Sequence, residues 1–187
     1  MATWSYTSNR VVRWTAKASL IGVVEGIVAI DRYDAEIRGF ANHAGTTPMP
    51  ERHDALVAAA YLTIAVNEIV RAEPGRQVGT VGQIAVTPNA PNVVPGRVVE
   101  TIELRDLSAE KIHGLAAQIR ARAREIAQKA GTEIEFKPAS HHDAALATPA
   151  VKESIEAVCA QLGLKTRRLP SGAGHDAQAM ATLGPWV

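Results

Sequence analysis

A single cysteine, Cys159, in 187 residues excludes an internal disulfide and fits a reducing compartment. No charge sign dominates: 20 Lys+Arg stand against 19 Asp+Glu, so neither nucleic acid nor a membrane surface is the default partner. No apolar run approaches the roughly 20 residues of a membrane span. The opening MATWSYTSNR lacks the charged-then-apolar layout of a signal peptide, and the expected compartment is the cytoplasm. Phosphate loop, dinucleotide fingerprint, G-x-S-x-G elbow and C-x-x-C pair are all missing. Internal repeats, heptads and low-complexity tracts are missing as well.

What remains is globular, with 47% hydrophobic and 21% charged residues. LIGVVEGIVAI at 20–30 is β-branched and reads as a strand. In the following DRYDAEIR, Tyr33, Ala35 and Ile37 alternate with Arg32, Asp34, Glu36 and Arg38, which predicts a half-buried second strand. The Ala- and Leu-rich run from Asp54 to Pro74-Gly75 predicts a well-buried helix. VGTVGQIAVTP and RVVETIELRD predict two strands around the turn NAPNVVPG, the second placing Val98, Ile102 and Leu104 opposite Thr101, Glu103 and Arg105.

Ser108 as N-cap, Ile112, Leu115, Ile119, Ala123 and Ile126 at helical spacing, and Gly131 as C-cap predict a second long helix with a basic outer face. TEIEFKP then predicts a last strand before a loop holding His141 and His142. Strand, helix, strand, strand, helix, strand over 32–138 is the split βαβ, or ferredoxin-like, order: a four-stranded antiparallel sheet with both helices on one face, an α+β fold. Beyond it come a third helix after Thr148, a short strand KTRRLP, and SGAGHDAQAMATLG turning into another helix.

His43 sits at a strand end beside a Gly/Thr/Pro turn, where it is either a solvated loop residue or a binding or catalytic group. His175 in SGAGHDA is either a helix-capping turn residue or a metal ligand. Asn92 and Arg105 together suit a carboxylate; separately they are a turn residue and a strand-end ion-pair partner. His53 and His113 read as solvated, and His141-His142-Asp143 is a weak metal pattern because neighbouring strand residues face opposite ways. A hydrolytic zinc site needs at least three protein ligands, which the sequence does not display.

The segments GFANHAGTTPMPERHDALVAAA, APNVVPG with ELRD, and SGAGHDAQ resemble the hydantoinase/carbamoylase family of amidohydrolases over roughly residues 18 to 184. The resemblance implies an α/β catalytic domain with two divalent metal ions (Zn, Mn, Co or Ni), interrupted by a ferredoxin-like lid or dimerisation domain. It implies that His43 stabilises an oxyanion in the partner subunit's site, that Asn92 and Arg105 hold the substrate carboxylate, and that His175 is a metal ligand.

Departures accompany the matches. Residues 1–17 carry no histidine and no H-I-E-Q-G motif, the chain stops at PWV where relatives continue, and Glu103 stands where aspartate is common. The expected organisation is a non-family segment at 1–17, a catalytic-domain remnant at 18–31, the lid at 32–139 and a shortened catalytic part at 140–187. The expected function is that of a fragment of a metal-dependent amidohydrolase acting on the C–N bond of N-carbamoyl-L-amino acids or related ureido acids. Alone it is expected to bind no metal stably, to be inactive, and to pair as a homodimer or higher oligomer through the lid. The alternative is a non-catalytic dimerisation or small-acid-binding module.

Overall fold

A computed structural model describes residues 20–184; the N-terminal segment expected at 1–17 lies outside them. The chain divides into two compact units, one of residues 20–27 and 145–184, the other Val28–Ala144. In the first, strand β1 (Leu20–Ile27) belongs to a three-stranded sheet described below.

The second unit opens with β2 (Ala29–Arg38), the two-residue β3 (Asn42–His43) and helix α1 (Ala55–Ala72). It continues with β4 (Val78–Thr87), the two-residue β5 (Val93–Val94), β6 (Arg97–Asp106), helix α2 (Ala109–Ala130) and β7 (Glu133–His142). The sheet order is β4-β6-β2-β7, every neighbour antiparallel, and β3 pairs separately with β5. Both helices lie on one face, packing Leu62, Val66, Ile112, Leu115 and Ile119 against Ala35, Ile37, Val98, Ile102 and Leu104. The α+β class and the alternation on β2 and β6 are as expected.

Caps mark the helix ends. The Asp54 carboxylate accepts from Leu56 N (2.9 Å) and Val57 N (3.1 Å), and Ser108 Oγ accepts from Lys111 N (3.2 Å). Gly131 ends α2 at φ 62°, the left-handed region that glycine enters without Cβ strain.

Three expectations need correction. The histidines expected in a loop continue β7, where His141 pairs with Asp31 and His142 with Ile30. The first long helix is only half-buried: Leu56, Val57, Tyr61 and Ile64 form an exposed apolar stripe, and the core takes the opposite face. By length and composition this helix could also cross a membrane, a property the expectation of no such run overlooked; its Ala58, Leu62 and Val66 are fully buried against the sheet. Glu100, on which the sequence reading made no statement, shares the buried face of β6 between Val98 and Ile102.

In the first unit β1 lies between β8 (Ala145–Leu146, antiparallel) and β9 (Lys165–Ser171, parallel). Helix α3 (Pro149–Gln161) carries the buried Cys159, with Thr148 at the N-cap position making no side-chain cap bond. A short helix α4 (Asp176–Met180) follows. Val23, Ile27, Ala145 and Ala147 are buried here, while Leu146, Val158 and Leu162 remain exposed.

Two carboxylates give the second unit opposite pH responses. Burial pushes Glu100 up to about 7, although Thr63 Oγ1 donates to it at 2.9 Å; its other oxygen has no partner. On the uncovered face of the sheet, bonds from Arg97, Lys137 and Arg38 hold Glu36 down at about 2. The raised Glu100 pKa means stability is lost as pH rises from about 4.5 to 7, by about 3 kcal/mol for a shift of this size. The depressed Glu36 pKa means stability is lost as pH falls from 4.5 towards 2. Denaturation followed across pH is therefore expected to show maximal stability near pH 4.5 to 5 from these two groups. Glu100→Gln should flatten the limb above pH 5 and Glu36→Gln the limb below it; unchanged limbs would refute the assignment.

Candidate functional site

The residues singled out in the second unit fall at two ends of its sheet. At one end, Gly39 N donates to Gly96 O (2.8 Å) and Ala44 N to Asn92 O (2.8 Å), bracketing the β3–β5 pair in which His43 faces Val93. Gly39 has no Cβ because the His53 carbonyl occupies that space, and Phe40 N donates to the same carbonyl at 2.9 Å. The chain is thus folded so that the His43 turn and the Asn92 turn lie side by side, both exposed.

The His43 ring has a fixed orientation. Gly45 N donates to Nδ1 at 3.1 Å, so in the neutral ring the proton is on Nε2, which is left as an outward donor. The His43 carbonyl accepts from Thr47 Oγ1 (2.9 Å), Thr47 N (3.2 Å) and Thr46 N (3.3 Å). His53 has the opposite polarity: its Nδ1 lies 2.7 Å from the Gly131 carbonyl, which can only accept, so Nδ1 carries the proton. Though exposed, His53 therefore ties the start of α1 to the end of α2.

The sequence reading passed over Arg52. Its Nη2 donates to Ala44 O at 2.6 Å and its Nε to Thr47 O at 3.1 Å, so one guanidinium clasps both sides of the His43 turn. The signal was available: an arginine fork two residues before the Asp54 cap, at the close of a Gly/Thr/Pro loop.

Arg105 is at the other end. It lies on β6 opposite Val78 and Ile30, eight residues beyond Arg97, which is roughly 26 Å along the strand at about 3.3 Å per residue. Within one chain, then, His43 and Asn92 come together and Arg105 does not join them. Arg105 Nε donates to Glu103 Oε1 (2.6 Å), and Arg32 Nε donates to Glu103 Oε2 (2.6 Å). Burial pushes the Glu103 carboxyl up, but Arg105 and Arg32 outweigh it and the net shift is down.

At the same end, on the helix side of the sheet, His141 bonds the buried Asp31 through Nδ1 and Asp143 through Nε2 (3.0 Å). Tyr33 Oη donates to the other Asp31 oxygen at 2.9 Å, and the Arg120 guanidinium lies 4.7 Å from the Tyr33 ring centroid. Asp31 and then Asp143 raise the His141 pKa. The sequence pattern could not show this cluster, because Asp31 and His141 meet only through strand register.

His175, in the first unit, is the N-cap of α4 and accepts from Ala177 N through Nδ1 at 3.0 Å, leaving Nε2 as its open nitrogen. Among the described residues, no three His, Cys, Asp or Glu side chains are gathered to hold a metal ion. By themselves the described residues do not make up a metal centre, which needs at least three protein ligands.

The Arg52 clasp is testable by hydrogen exchange. Arg52→Ala should speed exchange of the Gly45, Thr46 and Thr47 amides about tenfold, the loss of about 1–2 kcal/mol expected for charge-assisted bonds. Equal exchange in both proteins would show that the turn holds itself.

Comparison with known proteins gives a consistent result. The chain is 38% identical over 165 residues to an N-carbamoyl-L-amino acid amidohydrolase of Geobacillus stearothermophilus, covering 88% of this chain and 40% of that protein. It is 34% identical over 168 residues to a ureidoglycolate hydrolase of Oryza sativa, covering 88% and 34% respectively. A crystal structure of a hydantoinase/carbamoylase family amidase from Burkholderia ambifaria matches with TM-score 0.87 at 29% identity, over 94% of this chain and 42% of that one. The corresponding Burkholderia multivorans amidase matches with TM-score 0.84 at 32% identity, over 91% and 42%. No family model matches the chain. The chain spans about two fifths of the length of the first curated relatives, 40% in two of them and 41% in a third.

Proposed function

We propose that this chain, homologous along most of its length to hydantoinase/carbamoylase family amidases, supplies the lid and dimerisation part of a metal-dependent amidohydrolase. The reaction in the whole enzyme is hydrolysis of the C–N bond of an N-carbamoyl-L-amino acid or related ureido acid. On this reading residues 32–139 are a ferredoxin-like lid, and 18–31 and 140–187 belong to a catalytic domain holding two divalent ions, His175 among their ligands. The chain alone contributes too few ligands for turnover.

The supporting observation is the split of the acid- and oxyanion-handling residues between opposite ends of one sheet. His43 presents an Nε2–H donor beside Asn92, a group suited to an oxyanion once charge develops on a substrate carbonyl. Arg105 waits at the far end. One copy cannot place all three on a small acid.

Two copies can. β4 is an edge strand with an unpaired side, Ile84 beside Glu100 is half-exposed on the helix side, and the α1 stripe of Val57, Tyr61 and Ile64 is uncovered. Pairing β4 with its own copy in antiparallel sense joins the apolar stripes across a two-fold axis. It also sets the Val78 end of one copy, beside Arg105, against the Thr87 end of the other, which leads into the Asn92 turn. Each dimer would hold two such composite ends, with the substrate carboxylate taken by Arg105 and Asn92 of different copies and the carbonyl oxygen met by His43.

Sedimentation of the pure chain should give a dimer, and Tyr61→Asp with Ile64→Asp a folded monomer. N-carbamoyl-L-alanine should perturb the NMR signals of the His43, Asn92 and Arg105 segments together in the dimer, with affinity falling at least tenfold in the monomeric variant. Equal binding by the monomer would defeat the two-copy site. The chain loaded with zinc, manganese or cobalt should hydrolyse no N-carbamoyl-L-alanine; measurable turnover would overturn the expected inactivity.

A further inference from the structure

Two of the hydrogen bonds at the His43 turn meet on one peptide group. Arg52 Nη2 donates to the Ala44 carbonyl at 2.6 Å, and the other end of that same peptide, Gly45 N–H, donates to His43 Nδ1 at 3.1 Å. A planar trans peptide points its C=O and its N–H in opposite directions, so whatever fixes Ala44 O also aims Gly45 N–H. The plane has little freedom to turn. Arg52 Nε holds Thr47 O at 3.1 Å on one side, and Ala44 N is tied to Asn92 O at 2.8 Å on the other. Glycine at position 45 lets the imidazole lie close to this amide: a Cβ there would come within 3.1 Å of His43 Cε1 and 3.4 Å of Nδ1.

We propose that Arg52 is a positioning residue for His43, selecting the Nε2–H tautomer of its ring through the Ala44–Gly45 peptide. A guanidinium on a carbonyl draws electron density towards the oxygen and makes the N–H of that amide a stronger donor, because hydrogen bonds in a chain polarise one another. The stronger donor keeps the Nδ1 lone pair engaged, and the ring proton stays on Nε2. Both Arg52 bonds go to main-chain oxygens, so its influence on the ring runs through the backbone. The inference rests on the reading of His43 as the oxyanion donor. With the proton on Nδ1, the same ring would turn a lone pair towards the developing negative charge where a donor is needed.

The test uses the full chain with 15N-labelled histidine rings, observed by NMR in the alkaline range where the His43 signals no longer move with pH. The shifts of Nδ1 and Nε2 then report the tautomer directly. The parent should show the Nε2–H form. Arg52→Gln removes the charge, and the ratio of Nε2–H to Nδ1–H should fall about threefold or more, which is what part of one hydrogen bond supplies. Arg52→Lys keeps a cation within reach of Ala44 O and should restore most of the parent ratio, although the fork that also held Thr47 O is lost.

A parent-like ratio in Arg52→Gln would overturn the inference, since the turn would then set the tautomer unaided. An equal fall in Arg52→Lys and Arg52→Gln would overturn it too, because loosening of the turn, and not the charge on Ala44 O, would then govern the ring. The reading of His43 itself is tested separately, by titrating the dimer with N-carbamoyl-L-alanine. Ring nitrogens that follow Arg52 but stay still in that titration would uphold the link from Arg52 to the tautomer and overturn His43 as a ligand-facing donor.

Discussion

The unbroken antiparallel register of β2 against β6, from Ala29 opposite Asp106 to Arg38 opposite Arg97, is the constraint on which the rest of the sheet unit depends. Side chains alternate between faces, so this one register sends Ala35, Ile37, Val98, Ile102 and Leu104 to the helices. It sends Arg32, Glu36, Arg97, Glu103 and Arg105 to the open face. A slip by one residue would put four or five charges under the helices, a cost far above the stability of a domain. The outer pairs are less strict: β7 shifts between Arg32 and Tyr33, and β4 between Val81 and Gln83. Irregularity is tolerated at the edges because the central pair already fixes what each face contains.

That same register decides which functional groups can meet. It holds Arg105 at one end of β6 and, through Arg97 and Gly96, delivers the Asn92 turn to the other. No side-chain rearrangement can close a gap set by backbone pairing over eight residues. The exposed stripe on α1 and the unpaired edge of β4 have a counterpart in this separation. The proposed two-fold pairing would answer both the surface left uncovered in one copy and the separation of the candidate residues within it.

Local patterns in the sequence carried much of this. Alternation exposed β2 and β6, and Asp54, Ser108 and Gly131 announced the helix ends because each acts on backbone groups within a few residues. Position 43 stood out as a histidine in a turn too short to bury it. What the sequence could not show are contacts made across the chain: Arg52 on Ala44 and Thr47 needs the loop's path, and His53 on Gly131 needs the two helices packed. The pairing of His141 with Asp31 needs the register of β7. That Asn92 and Arg105 lie at opposite ends of the sheet within one chain was equally hidden, since chemical complementarity says nothing about distance. The composition of α1 suggested a well-buried helix, yet a helix on one side of a four-stranded sheet has only one face to bury.

Glu100 and Glu103, three residues apart on β6, show how far a face determines the chemistry of one residue type. Glu100 points under α1 with a single hydroxyl partner, and burial drives it towards the neutral acid. Glu103 points the other way between two guanidiniums, which favour its charge more than partial burial opposes it. An odd step along a strand reverses the face, so the same side chain becomes a strained core member in one case and an anionic brace in the other. The brace sits beside Arg105, the arginine proposed to hold a ligand acid, and the buried member sits beside Ile84, on the edge where a second copy would add cover. Assembly would cover Ile84 beside Glu100, on the helix side of the edge, while leaving Glu103 on the open face with its charge and its hold on Arg32 and Arg105.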